Sequence, residues 1–344
     1  MDKLKVVIIL LLLMHIATGI NDMECNGMEG LCDLRIDQVT FPAAHNAGLD
    51  PNVAGECLWR NQNYDPLNQF IRGIRFFDFD TCWHEDKVKH CHCNEYFGCA
   101  YGADMSTTLV NFDNVMKYDW SLFGFDFRYE VIILYFNRDA DISGETAKEK
   151  IGKSLDEILT NLWDPDGNGL LKMNNYYKNN NNQWPTLRQA IKSKQRVFIW
   201  MENGPAKYIT PQPDWLVQSN GIFTTTGSTI YIWLWITSGH CTGIVSAARS
   251  KCATSRDFVD LSSTATFGRC IESMAWYCSK DEAIGAAIDA CYPEREKRGK
   301  TINILSADYA VNREGYEKLS VVDRAKTMNE KNIQRLIHKI KQEA

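Results

Sequence analysis

The chain has no Asn-x-Ser/Thr sequon, so N-glycosylation offers no clue to its compartment. It also lacks a Cys-x-x-Cys pair, the spacing on which most structural zinc sites are built. No Lys/Arg stripe is present and the formal net charge is -5, which argues against a nucleic-acid partner. After an apolar run near the start, no second run is long enough to cross a bilayer. The chain closes on polar residues, Lys341 to Ala344, which speaks against a membrane-spanning tail or a lipid-anchor signal. No internal repeat is visible.

What is present begins with an address. Lys3 and Lys5 precede the unbroken apolar run Val6 to Leu13, and Ala17-Thr18-Gly19 supplies small residues suited to signal cleavage. Residues 1–19 are therefore expected to be a signal peptide, and 20–344 a single secreted domain with no transmembrane segment after cleavage. The 12 cysteines all follow that leader, and their even number fits a disulfide set in an oxidising compartment. Cys25, Cys32, Cys57, Cys82, Cys91, Cys93 and Cys99 form an early group. Cys241, Cys252, Cys270, Cys278 and Cys291 form a late one. Both counts are odd, so either one bridge joins the groups or two thiols stay free. Cys25 and Cys32 could close a small loop, and zinc is the rival use of His90, Cys91, His92 and Cys93. The 10 Trp and 14 Tyr suit sugar or lipid-headgroup contacts as well as core packing.

Six short apolar runs rich in β-branched and aromatic residues read as buried strands: Val39 to Ala43, Ile74 to Asp80, Val131 to Phe136, Val197 to Met201, Ile230 to Ile236 and Ile302 to Ser306. Helical patterns lie between them, at Glu145 to Leu162, Thr186 to Ser193 and Asp281 to Ala290. At the C-terminus, Ile333, Leu336, Ile337 and Ile340 make an amphipathic face. This alternation predicts a parallel α/β barrel, with closure left open by a count of six strands. Asn174 to Asn182 reads as a polar loop rather than a boundary.

Chemistry concentrates on three segments. In Gly73-Ile74-Arg75-Phe76-Phe77-Asp78-Phe79-Asp80, a period of two puts Ile74, Phe76, Asp78 and Asp80 on one face. Two carboxylates at the C-terminal end of a barrel strand must repel, share a proton or hold a cation. Thr40-Phe41-Pro42-Ala43-Ala44-His45-Asn46 runs from a strand into a loop carrying a histidine able to titrate near neutrality. Val88-Lys89-His90-Cys91-His92-Cys93 adds two more histidines, which share a face if the segment is extended.

These segments together resemble a known family. Thr-Phe-x-x-x-His-Asn, Asn-Gln, Gly-Ile-Arg-Phe-Phe-Asp-Phe-Asp, Cys-His, Glu130 to Asn137, Trp184-Pro185-Thr186-Leu187, Arg196 to Trp200 and Asn303 to Tyr309 follow one another. This order is similar to the X-domain of phosphatidylinositol-specific phospholipases C, and more narrowly to the secreted phospholipase C-like phosphodiesterases of fungi and plants. The resemblance spans most of the chain beyond the leader and rests on motif order rather than on any one motif. It implies a distorted TIM (β/α) barrel, here stabilised by disulfides, acting on a phospholipid or glycolipid at a membrane surface.

The resemblance also implies roles. His45 would be the general base on the inositol 2-hydroxyl, and His92 the acid that protonates the leaving glycerol oxygen, with His90 as the alternative. Asp308 would orient His45. Bacterial members carry arginine where Asp80 stands, whereas animal intracellular members carry an acid there and bind calcium. Asn46, Asp78 and Asp80 match three positions of that calcium set, offering hard oxygen ligands. The fourth falls on Asn137, where an acid is expected, so a Ca2+ site would be under-charged. Arg75 is one step out of register and is expected to point away.

Asp164 to Leu171 copies the first half of an EF-hand loop, but Asn175 stands where the bidentate Glu belongs, so it is read as a polar turn. Two other functions stay open: a phospholipase D-like enzyme acting on other headgroups, and a barrel that binds lipid or glycan without turnover.

Overall fold

The alternation of apolar residues along the strands decides how the chain rolls up. The computed structural model describes residues 23–51, 60–94, 98–118, 120, 126–138, 144–163, 169–170, 183–201, 206–209, 216–218, 223–225, 228–231, 252–253, 258–266, 281–308, 310–311 and 320–343. The leader, the Asn-rich segment, most of the EF-hand-like turn and the Ile230 to Ile236 run beyond Tyr231 lie outside them.

Twelve strands belong to one sheet. They are β1 (Phe41–Ala44), β2 (Phe76–His84), β3 (Lys87–Asn94), β4 (Gly98–Asp104), β5 (Ile132–Arg138), β6 (Gly169–Leu170), β7 (Gln195–Met201), β8 (Leu216–Gln218), β9 (Phe223–Thr225), β10 (Ser228–Tyr231), β11 (Phe258–Thr266) and β12 (Ile304–Ala307). The helices are α1 (Pro66–Ile71), α2 (Met105–Lys117), α3 (Gly144–Trp163), α4 (Leu187–Lys192), α5 (Asp281–Glu296) and α6 (Val321–Glu343). The spine runs β10-β11-β12-β1-β2-β5-β7-β6, and all its pairings are parallel. Among the described strands, antiparallel pairing is confined to the β2-β3-β4 excursion.

Although β7 and β11 stand five places apart along the spine, the rings of Trp200 and Phe258 meet with centroids 4.7 Å apart. Phe76 closes on Trp200 from a third strand at 5.8 Å. The sheet is therefore curled around an aromatic interior, as in a (β/α) barrel. Among the described residues no ladder joins β8 to β9, so the ring is not completed by hydrogen bonds.

The parallel strands β1, β2, β5, β7 and β12 bury residues on both faces. Phe41, Ala43, Phe76, Ile133, Tyr135, Phe198, Trp200, Phe258 and Ile304 line the interior, where Leu31, Leu34 and Ile36 join them. The alternate residues Phe77, Phe79, Ile132, Leu134, Phe136, Val197 and Ile199 pack outward with Leu109 and Phe112 of α2 and Ile151, Leu155 and Leu159 of α3. Helix starts follow local chemistry. Asp65 caps α1 by accepting from Asn68 N–H, with Pro66 at the first position, and Thr186 and Gln189 form a capping box on α4. On α6, Asn329 fixes β1 from outside, its amide bonding both Thr40 N–H (2.8 Å) and Thr40 C=O (2.9 Å).

Four disulfides are described: Cys25–Cys32, Cys82–Cys91, Cys93–Cys99 and Cys252–Cys291. The small loop expected at Cys25 is present, and each bridge stays within its own group. Because Cys91 and Cys93 are oxidised, neither offers a thiolate, and the zinc alternative falls.

Candidate active site

Continuing the period of two past Phe76 gives Asp78 and Asp80 the interior parity at the C-terminal end of β2, beyond the aromatic layer. The other candidates arrive from strand ends on the same side. His45 directly follows β1 and Asp308 directly follows β12, the two strands being paired in register from Phe41↔Ile304 to Ala44↔Ala307. Asn137 is the register partner of Asp80 across β2 and β5.

Two imidazoles each meet a buried carboxylate. His45 Nδ1 lies 2.8 Å from Asp308 Oδ1, and His92 Nδ1 lies 3.0 Å from Asp80 Oδ2. The histidine side chains are 23% and 22% exposed while their acids are 1% and 7% exposed, so each ring has a fixed back and an accessible front. A carboxylate at that distance requires a proton on Nδ1, which leaves Nε2 as the nitrogen for proton exchange.

Asn46 joins the pairs. Its backbone takes a left-handed φ of 46°, a conformation asparagine tolerates better than most residues, and the chain turns there from β1 toward β2. The Ala47 N–H then donates to Asp78 C=O at 2.8 Å. The Asn46 amide nitrogen reaches to 3.3 Å from His92 Nδ1, and its Oδ1 is buried with no hydrogen-bond partner among the described residues. An orphaned carbonyl oxygen on the side chain that meets the His92–Asp80 pair has the hard-oxygen chemistry a divalent cation takes. Asp80 Oδ2, however, is already turned to His92.

His90 and His92 part company. The ladder is irregular between Lys89 and Cys91, and His90 is buried beside the Phe79 ring, with Nε2 2.8 Å from Thr108 Oγ1. Burial drives its pKa down to about 3, against the opposing pull of Asp80. A Cβ on Gly48 would lie 2.1 Å from the His90 ring, so glycine there is what lets the loop after Asn46 close over it. Arg75 points away, as expected: its guanidinium bonds Glu130 at 2.6 Å and the carbonyls of Phe70 and Ile74.

Two further side chains, Asn61 and Gln62, reach the site. Asn61 Nδ2 donates to Asp308 Oδ1 at 2.6 Å, and Gln62 Nε2 donates to His45 C=O at 2.6 Å. The only signal for them in the sequence is the Asn-Gln pair within the motif order.

A curled parallel sheet with a polar cluster at the C-terminal ends of its strands defines a distorted TIM barrel. Its fold is that of the bacterial phosphatidylinositol-specific phospholipases C. Against the enzyme of Listeria monocytogenes the TM-score is 0.54 at 13% identity, covering 88% of this chain and 97% of that one. Against a mutant of the Staphylococcus aureus enzyme it is 0.56 at 16% identity, covering 86% and 93%. No protein-family model and no curated protein matches the chain by sequence.

Proposed function

We propose that this is a secreted phosphoric diester hydrolase that cleaves phosphatidylinositol, or a glycosyl-phosphatidylinositol, by two-histidine acid–base catalysis. The observation that carries the reading is the pair of histidine–carboxylate contacts, His45–Asp308 and His92–Asp80, bridged by Asn46. One proton acceptor and one proton donor are what an internal phosphoryl transfer needs. His45 Nε2 takes the proton of the inositol 2-hydroxyl, whose oxygen attacks phosphorus. His92 Nε2 gives its proton to the glycerol oxygen as the P–O bond breaks, releasing diacylglycerol and a cyclic inositol phosphate. With roles exchanged, the same pair adds water to the cyclic ester. Asp308 and Asp80 fix the rings and stabilise each imidazolium as it forms. Each histidine would contribute roughly 10²–10⁴-fold in rate.

Asn46, Asp78, Asp80 and Asn137 would hold a calcium ion, which when bound would offset the charge gathering on the phosphate oxygens. Secretion is supported by the disulfides, and no helix of the described residues is long and apolar enough to cross a membrane.

The test is release of water-soluble inositol phosphate from phosphatidylinositol vesicles, with calcium and with excess chelator. Calcium-dependent release supports both parts of the reading, and chelator-resistant release keeps the histidines and removes the cation. Absence of release in both conditions would overturn phosphatidylinositol as substrate.

A further inference from the structure

Asp308 Oδ1 accepts two bonds, one from His45 Nδ1–H and one from the Asn61 amide at 2.6 Å. Asn61 is fully buried, and its Nδ2 also lies 3.2 Å from His45 Nδ1. An amide N–H cannot accept a proton, so of these two neighbours only the carboxylate can take the Nδ1 hydrogen. The carboxylate is thus the one contact that fixes the His45 tautomer, and Asn61 acts through it.

Gln62, also buried, works on the backbones. Its Nε2 donates to His45 C=O (2.6 Å) and Ala307 C=O (3.1 Å), and its Oε1 accepts from Ala310 N–H (3.1 Å). One side chain thus ties the residue of the base to both flanks of Asp308, across more than two hundred residues of sequence. The N–H groups of Asn61 and Gln62 both donate to Leu49 C=O, anchoring the dipeptide to the loop that follows Asn46.

We propose that Asn61 and Gln62 are positioning residues for the base: Asn61 holds the Asp308 carboxyl aimed at His45 Nδ1, and Gln62 holds the two strand ends at the separation this contact needs. The proposal rests on His45 being the proton acceptor. The charged and titratable groups around the pair, among the described residues, are few. His92 and Asp80 are reached through Asn46, Asp78 lies below Ala47, and the Arg60 guanidinium bonds Gln62 C=O and Asn63 Oδ1.

The experiment compares wild type, Asn61→Leu, Asn61→Asp and Gln62→Glu as full mature chains. It reads kcat and KM separately on phosphatidylinositol vesicles across pH, with the folded fraction measured alongside. In Asn61→Leu, kcat should fall roughly tenfold or more with KM little changed. In Asn61→Asp, which is isosteric, the introduced carboxyl donates the same bond only while protonated. Activity should then fall as that proton leaves, giving an alkaline limb below the wild-type one. Should neither Asn61 variant fold, Gln62→Glu, which keeps the shape and removes the amide donor, must show the same loss of kcat at little-changed KM. Wild-type kcat in the folded variants, or an Asn61→Asp profile parallel to wild type, would overturn the proposal. A wild type that releases no inositol phosphate fails the functional reading instead.

Discussion

The Sγ atoms of Cys82 and Cys93 lie 3.4 Å apart, so the disulfides Cys82–Cys91 and Cys93–Cys99 touch along the strand that carries His92. The first ties β3 back to β2, which bears Asp80, and the second ties β3 forward to β4. The angle at which His92 meets Asp80 is therefore held by covalent links on both flanks. Replacing Cys93 and Cys99 together by Ser should lower kcat roughly tenfold or more by letting the imidazole wander. The bridge closes a short loop, so stability should fall by only about 2 kcal/mol. Full activity in that variant would show that the strand pairing alone fixes His92.

His90 and His92 should behave oppositely when replaced by Gln. His92→Gln should lose about 10²–10⁴-fold in activity at nearly unchanged stability. His90→Gln should keep its activity per folded molecule but change the pH dependence of folding. The folded pKa of His90 is about 3 against an ordinary 6.5, so the unfolded chain binds the extra proton between those values. Stability from this residue is full above about pH 6.5 and drains as pH falls toward 3, by on the order of 5 kcal/mol in all. Denaturant midpoints at pH 7 and pH 4 should therefore spread further apart in wild type than in His90→Gln. Equal spreads would mean that His90 is not held neutral.

Much of this was legible in the sequence. Strand runs with both parities apolar could only be buried parallel strands, and the parity of Phe76 carried Asp78 and Asp80 to the site end. What separates His90 from His92 was not legible, because a ladder irregularity between Lys89 and Cys91 leaves no mark in a pattern of period two. The roles of Asn61 and Gln62 were hidden for another reason. Their partners His45, Ala307 and Asp308 are distant in the chain, and amides give no periodic signal. The curl of the sheet depends on ring contacts such as Trp200–Phe258, which require the tertiary structure.

Arg75 and Glu130 form an ion pair with side chains 8% and 6% exposed, on the far side of β2 from the site residues. Arg75 also lies over the Phe70 ring at 4.5 Å. Arg75→Met should leave Glu130 buried without its cation and cost about 3–5 kcal/mol. The kcat of the folded fraction should stay near wild type. A specific loss of turnover at unchanged stability would instead assign this arginine to the phosphate.

Asp260 supplies the opposite pH signature. It lies two residues beyond Phe258 on β11, hence with interior parity, and burial pushes its carboxyl up to about 8 from an ordinary 3.8. Here the folded state holds a proton that the unfolded state has lost. The contribution to stability is full below about pH 4 and is lost as pH rises through 8. Asp260→Asn keeps the shape and removes the ionisation. It should match wild type in chemical-denaturation stability at pH 4 and exceed it increasingly from pH 6 to pH 9. Parallel stability curves for the two proteins over that range would mean that Asp260 is ionised in the folded barrel at neutral pH, with a charged partner holding it there.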